Sequence, residues 1–229
     1  MIHKRSPAHW GLIVLFVLWA TNTAPAQSEK PGSGKVMLAE PDLKPLAETQ
    51  KRAAAGDSEA QYQLGFRAEW GRELPPDNLQ ALKWYRQAAE QGHAQAQVRL
   101  GSLLLSGGQR IGEPSEGISW YRKAAEQSLP EAQYVLAGCY ATGFGVTRDE
   151  AQAFFWTRKA AELGYAAAQG GLARCYEKGI GVAPDPVKAA EWYRKAADQG
   201  YAQAQFNLGV FYELGIGVGR DPVRKILPD

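Results

Sequence analysis

Few residues of this 229-residue sequence are of the types that perform acid–base, nucleophilic or metal chemistry. Two of its three histidines lie within the first 26 residues, so His93 stands alone in the remainder of the chain. One histidine cannot form a Ser/His/Asp triad or a zinc cluster. His93 also occupies a position at which later segments of an internal repeat carry leucine or tyrosine, which favours a structural role.

The other reactive patterns lead to the same conclusion. The sequence contains no G-x-S-x-G, C-x-x-C or phosphate-loop motif, and its repeated G-x-G elements follow helical segments, where a helix C-cap explains them. Cys139 and Cys175 are 36 residues apart. In an exported protein such a pair suggests a disulfide, but equivalent residues of neighbouring repeats lie about 8–10 Å apart, beyond the reach of a disulfide. We favour two half-buried thiols, and we predict no catalytic residue, cofactor or metal site.

An internal repeat of 36 residues positions all of these side chains. It places the same residue type in successive columns: Trp84, Trp120, Trp156 and Trp192; Gln61, Gln97, Gln133, Gln169 and Gln205; Leu64, Leu100, Leu136, Leu172 and Leu208; Ala60, Ala96, Ala132, Ala168 and Ala204. No insertion interrupts the register over this span. Such a period predicts a solenoid of stacked supersecondary units.

Each unit has the pattern of two helices. The segment 166–178 is an example of the first helix, because Ala168, Leu172 and Tyr176 follow the helical period. A glycine-bearing loop such as GIGV ends it. The second helix is predicted to begin at an aspartate that caps its first turn. The capping residues are Asp77, Asp149, Asp185 and Asp221, with Glu113 as the exception and a proline next in three copies, Pro114, Pro186 and Pro222.

The second helix carries the octet WYRKAAEQ, which recurs in four versions. Its tryptophan lies on one face with two alanines, so we expect the Trp column to provide the main buried aromatic surface, worth several kcal/mol per repeat. Arginine and an acidic residue four positions later are expected to form exposed ion pairs worth about 0.2–0.5 kcal/mol each. These pairs are Arg86 with Glu90, Arg122 with Glu126, Arg158 with Glu162, and Arg194 with Asp198.

The pattern A-x-A-Q-x-x-L-G-x-x-Y-x-x-G-x-G-V, followed by D-x-x-x-A-x-x-W-Y-R-K-A-A-E-Q-G, resembles the Sel1-like repeat, a relative of the tetratricopeptide repeat. The resemblance spans residues 57–220. It implies an all-α fold, an α/α superhelix (solenoid) of about five 36-residue helix-turn-helix repeats, the last one incomplete. It also implies that the first helices line a concave binding surface. Arg67-Ala68, Leu103-Leu104 and the loop GGQRIG depart from the pattern, so the groove is expected to differ in the first two repeats.

The related tetratricopeptide helix places a set of residues on that concave face. We predict partner-binding roles for Tyr62, Phe66, Trp70, Tyr134, Arg174 and Phe206. Phe66 and Trp70 stand out because packing does not demand a large aromatic residue in their columns, and interface hot spots favour aromatic residues and arginine. For Tyr62, Tyr134 and Phe206, packing between neighbouring repeats is an equal alternative.

The first 26 residues have the order of a secretory signal peptide: a positive start, an apolar run and an Ala-Pro-Ala end. We expect cleavage between Ala26 and Gln27 and a periplasmic or secreted protein, with an uncleaved membrane anchor as the alternative. Residues 27–41 are predicted to be a flexible linker and residues 42–56 an N-terminal capping helix. The repeats are expected at 57–92, 93–128, 129–164, 165–200 and 201–229, the last of them partial.

Removal of the signal peptide leaves 26 − 2 = 24 basic residues against 24 acidic ones. A neutral surface argues against binding to nucleic acid or anionic lipid. We therefore expect a non-enzymatic interaction module that binds a protein or peptide, as an envelope adaptor or as an immunity-type protein that neutralises an effector. The alternatives are a weak β-lactam- or cell-wall-directed hydrolase of the cysteine-rich Sel1-like type, and a self-assembling protein that dimerises through its incomplete last repeat.

Overall fold

The computed structural model describes residue 38, residues 40–106 and residues 114–217, and these form ten α-helices without a strand. The helices are α1 Leu46–Ala54, α2 Ser58–Trp70, α3 Asn78–Glu90, α4 Ala94–Ser106, α5 Pro114–Glu126, α6 Pro130–Thr142, α7 Glu150–Glu162, α8 Ala166–Lys178, α9 Pro186–Asp198 and α10 Ala202–Leu214. Even-numbered helices are the first helices of the predicted pairs. The fold is therefore an all-α solenoid of helix pairs, as the 36-residue period predicts.

Helix ends follow the predicted capping chemistry. Asp77, Asp149 and Asp185 each accept a hydrogen bond from a backbone N–H of the first turn, at 2.9–3.0 Å. Helix α8 has the predicted bounds, and Gly179 ends it in the left-handed conformation. The capping predictions at Glu113, Asp221 and Pro222, the signal peptide and most of the predicted linker lie outside the described residues.

The two glycines of the G-x-G loop have different structural roles: the first ends a helix, and the second allows a close approach between two backbone segments. Gly181 has a φ of +67°, and a Cβ added there would lie 2.1 Å from the backbone oxygen of Glu150 at the start of α7. A residue with a side chain would clash with Glu150, and residues other than glycine rarely adopt this positive φ. The loop is thus a C-cap followed by a backbone contact with the preceding repeat, as a structural interpretation of G-x-G requires.

The chain divides into two compact units, residues 35–132 and, among the described residues, 133–217, with the boundary inside α6. The core of residues 35–132 is centred on Tyr85, whose ring lies against Gly65, and its hydroxyl donates to Glu69 at 2.8 Å. The core of residues 133–217 is centred on Tyr193, whose ring meets Phe211 edge-on at 5.4 Å. Tyrosines of the second helices therefore form both centres.

The Trp column is less buried than the sequence predicts. Trp84, Trp156 and Trp192 are only half-buried, and Trp120 alone is buried at 7% exposure. The next residue in the octet is the buried one: Tyr85, Tyr121 and Tyr193 are 0–2% exposed. Because successive residues of a helix are rotated by 100°, the tyrosine points at the first helix of its repeat, and the preceding tryptophan lies at the edge of the contact between the two helices. At Trp192, for example, Lys195 Nζ lies 4.0 Å from the centre of the indole ring.

The Gln column joins helices of successive repeats. In residues 35–132, the Gln61 amide donates to the Ala53 oxygen of α1 at 3.3 Å and accepts from the Gln91 amide at 2.7 Å. The same two bonds recur at Gln97 with Ala89 and Gln127, and at Gln169 with Ala161 and Gln199. Each such glutamine satisfies a carbonyl at the end of a helix, which explains the column.

The predicted arginine pairs are only partly as expected. Arg158 pairs with Glu162 at 3.7 Å, as predicted. Arg86 instead pairs with Glu116 on the second helix of the next repeat at 2.8 Å, and Arg194 donates to the Tyr212 hydroxyl. The partners differ from those predicted because the stacking of helices brings acceptors of the next repeat within reach of the Arg86 and Arg194 side chains.

Candidate binding surface

The predicted site residues of the first repeat lie in the interior. Tyr62 and Phe66 are 3% and 1% exposed, and Trp70 is half-buried. The Arg99 guanidinium carbon lies 5.8 Å from the centre of the Phe66 ring and 5.7 Å from that of Trp70. The structure therefore differs from the expected placement of Tyr62 and Phe66 on an open groove: both side chains are buried, and Arg99 of the second repeat packs over the rings of Phe66 and Trp70.

A non-helical segment of the chain itself lies against the same helix. The Gln63 side chain accepts from the Lys44 N–H at 3.2 Å and donates to the Asp42 oxygen at 3.0 Å. Arg67, which is fully buried, donates to the Lys44 oxygen. We call residues 40–45 the strap. It covers the Gln63 and Arg67 side of α2, so the face expected to bind a partner is occupied by the chain's own residues.

His93 has the structural role predicted for it. Its ring stacks on that of Tyr62, with the ring centres 4.7 Å apart. Its Nδ1 accepts a hydrogen bond from the Ala96 N–H at 3.2 Å, and its Nε2 lies 2.9 Å from Glu59 Oε2. The bond at Nδ1 requires an unprotonated nitrogen there, so Nε2 carries the hydrogen and donates to Glu59. His93 thus caps α4 and links it to α2.

In residues 133–217 the structure brings Tyr134 and Arg174 into one group with two residues that the sequence analysis did not assign to a site. Tyr165 meets the Tyr134 ring edge-on at 5.6 Å. Tyr201 lies over α8, where a Cβ added at Gly170 would be 2.8 Å from its ring, and one added at Gly171 would be 3.1 Å from the Tyr134 ring. Two adjacent glycines therefore let two rings rest on one helix. We call Tyr134, Tyr165, Tyr201 and Arg174 the tyrosine–arginine cluster.

Arg174 is the charged and exposed member of the cluster. Burial raises the pKa of Tyr134 far above its ordinary value, and the positive charge of Arg174 opposes this shift. Burial also raises the pKa of Tyr201, again opposed by Arg174. The phenols of Tyr134 and Tyr201 therefore stay neutral at physiological pH, and the cluster presents aromatic surface with one cation. This chemistry suits recognition of a polar or anionic group on a partner rather than proton transfer.

Phe206, the last predicted site residue, lies on α10 and is 64% exposed. Leu214 on the same helix is 63% exposed. In earlier repeats the aromatic residue of this column is covered by the residue that begins the next repeat, as His93 covers Tyr62 and Tyr165 covers Tyr134. The exposure of Phe206 is thus a property of the last described helix.

Both cysteines are free, as the spacing argument favours, and they are buried rather than half-buried. Burial raises the pKa of Cys139 to about 12 and that of Cys175 to about 11, so neither thiol is activated as a nucleophile. Across residues 40–106 and 114–217, no group of three or more His, Cys, Asp or Glu side chains is arranged to hold a metal ion. No helix in the described part of the chain combines the length and apolarity needed to cross a bilayer.

The fold and the column pattern define a helix-pair repeat protein, and comparison with known proteins identifies the repeat. The sequence model of the Sel1 repeat matches residues 58–93, 94–129, 130–165, 166–201 and 202–224. The chain therefore belongs to the Sel1 repeat family, whose fold is a protein-interaction scaffold. A search of curated proteins gives no match.

Solved structures agree with this assignment. The chain is 39% identical to a protective antigen present in uropathogenic Escherichia coli strains, with a TM-score of 0.75, covering 78% of this chain but only 38% of that one. It is 31% identical to a Sel1 repeat protein from Oxalobacter formigenes, with a TM-score of 0.72 and coverage of 77% and 72%. An immunity protein from Pseudomonas aeruginosa is 20% identical with a TM-score of 0.48, covering 92% of this chain and 73% of that one, a likeness too remote to bear on function.

Proposed function

We propose that this chain is an exported, non-enzymatic interaction module that binds a protein or peptide on its concave face, with the tyrosine–arginine cluster as the centre of that site. The observation that carries the proposal is the position of Arg174, an exposed cation set among three half-buried tyrosines. Aromatic residues and arginine are the types that dominate binding energy at interfaces. The interaction scaffold of the family supports the same class of function.

We propose residues 133–217 for the site because the equivalent face near the N-terminus is filled by the chain's own side chains. Phe66 is 1% exposed, Arg99 packs over it, and the strap covers Gln63 and Arg67. A partner could not reach these residues without breaking contacts within the chain. Arg174 belongs to the same repeat column as Phe66 and is exposed, so the column supplies packing in one repeat and an accessible cation in another.

Export rests on residues 1–26, whose order is that of a signal peptide. In the envelope, the module acts as an adaptor or as an immunity-type protein that neutralises an effector. The partner's own identity distinguishes these two roles. N-terminal sequencing of the protein purified from the envelope fraction should give Gln27 as the first residue; Met1 on a membrane-bound product refutes soluble export.

The test of the binding function is affinity capture from envelope extract with the chain that begins at Gln27. The wild-type bait should retain one abundant protein. A double variant, Arg174→Gln with Tyr201→Ala, should lose that protein while keeping its helical circular dichroism. Arg158→Gln on α7 is the matched control and should retain it. Equal capture by both variants refutes the cluster as the site, and absence of any captured protein refutes the proposed function.

Self-assembly is a second candidate, favoured by the exposure of Phe206 and Leu214 on α10. If the protein dimerises through this helix, light scattering should give twice the chain mass, and Phe206→Ser should return it to a monomer. A monomer at all concentrations removes this candidate.

A further inference from the structure

We infer that the tyrosine–arginine cluster recognises an extended peptide segment through a carboxylate, with an Asp or Glu side chain of the partner paired to Arg174. This inference rests on the proposed function, because it names the chemical class of the partner segment. Three observations support it, and all of them come from the described residues of this chain.

The first observation is that the strap shows how a first helix of this repeat holds a peptide. Gln63 contacts the oxygen of Asp42 and the N–H of Lys44, two residues apart. In an extended chain these two groups point the same way, so a single side chain can hold both. The Arg67 guanidinium takes the next oxygen, that of Lys44. One face of α2 thus binds main-chain groups of an extended segment through side-chain hydrogen bonds.

The second observation is the change of residues at the matching positions of α8. Gly171 stands in the column of Gln63, Arg174 in that of Phe66, and Cys175 in that of Arg67. Gly171 has no side-chain amide that could hydrogen-bond to a peptide backbone as Gln63 does, and the Tyr134 ring fills the space beside it. Cys175 is buried and holds a neutral thiol, since burial raises its pKa to about 11. Arg174 is therefore the polar group that this part of the face offers to a bound segment.

The third observation concerns the charges around Arg174. Glu177 is a nearby acid. Burial tends to raise its pKa, but the hydrogen bonds from Lys178 and Tyr193, and then the charges of Lys178 and Arg174, lower it. Both of its carboxylate oxygens are engaged. Oε1 pairs with Lys178 Nζ at 2.6 Å, and Oε2 accepts from the Tyr193 hydroxyl at 2.6 Å. Within the described residues, no carboxylate lies at ion-pair distance from Arg174. A planar guanidinium with this freedom and an aromatic surround favours bidentate binding of an external carboxylate.

The experiment uses the chain that begins at Gln27 and two synthetic nine-residue peptides, identical except for Glu or Gln at the centre. Nitrogen-15 NMR follows the Arg174 Nε–H and the Gly171 backbone N–H during titration. The Glu peptide should shift both signals and bind at least about tenfold more tightly than the Gln peptide, the scale of one hydrogen-bonded charge pair. Arg174→Gln should abolish the difference, and Arg158→Gln should keep it.

Three results overturn the inference. The first is equal affinity for the two peptides, and the second is a shift at Arg174 that inorganic phosphate reproduces at the same concentration, which indicates a general anion site. The third result concerns the protein captured from envelope extract. If Tyr201→Ala abolishes its capture but Arg174→Gln does not, the proposed binding function is kept and the inferred pairing of Arg174 with a carboxylate is refuted. Failure to capture any protein refutes the proposed function instead.

Discussion

Tyr193→Ala should destabilise the protein more than Trp192→Ala, although tryptophan is the larger residue. Tyr193 is 1% exposed, meets Phe211 edge-on at 5.4 Å and donates to Glu177 Oε2 at 2.6 Å. Trp192 is half-buried, with Lys195 over its ring. The comparison tests whether the second residue of the octet, rather than the first, forms the core.

The magnitudes follow from burial. Removing a fully buried aromatic side chain costs about 3–5 kcal/mol of unfolding free energy, because the lost burial adds to the cavity left behind. Removing a half-buried indole should cost about 1–3 kcal/mol, since much of its surface already faces water. Tyr193→Phe keeps the ring and loses the bond to Glu177, which is worth about 1–3 kcal/mol.

Urea titration followed by circular dichroism at 222 nm measures these differences without relying on tryptophan fluorescence. Glu191→Ala, an exposed change on the same helix, supplies the baseline and should stay within about 0.5 kcal/mol of wild type. A loss at Trp192→Ala equal to or larger than that at Tyr193→Ala refutes the assignment of the core to the tyrosine column.

Three further outcomes are expected. Gly181→Ala should cost about 1–3 kcal/mol more than Gly164→Ala in the same titration, because both positions have positive φ but only at Gly181 would the added Cβ meet a backbone oxygen, at 2.1 Å; equal losses contradict this. Asp57→Ala should cost about 1 kcal/mol at pH 7. The Ala60 N–H bond and then Arg52 lower the pKa of Asp57, so its stabilisation is present above pH about 4 and lost as pH falls through the lowered pKa; a pH-independent difference contradicts this. Ellman's reagent at pH 8 should find no reactive thiol in the native protein and two in urea, Cys139 and Cys175; rapid native reaction contradicts their burial.

The sequence predicts the helices well because their signals are local. The aspartate caps, the glycine C-caps and the 3.6-residue period act within one or two turns, so α8 and the caps at Asp77, Asp149 and Asp185 lie where the pattern indicates. The 36-residue register then predicts the stacking of helix pairs. No contact with distant residues is needed for either conclusion.

The binding surface is harder to predict because exposure depends on neighbouring repeats and on the strap. Phe66 and Arg174 share a column, yet one is buried by Arg99 and the other is exposed. The cluster also depends on Gly170 and Gly171, whose missing side chains admit the rings of Tyr201 and Tyr134. Two consecutive glycines inside a helix were a usable signal of close packing, but which rings fill the space follows only from the tertiary structure.

The affinity of the captured envelope protein for two variants tests the central claim most directly. Arg174→Gln should weaken binding at least about tenfold while leaving circular dichroism and melting temperature unchanged. Phe66→Leu should lower the melting temperature, because Phe66 is 1% exposed, and leave the affinity unchanged. Unchanged affinity for Arg174→Gln together with weakened binding for Phe66→Leu contradicts the claim that the partner binds at the tyrosine–arginine cluster.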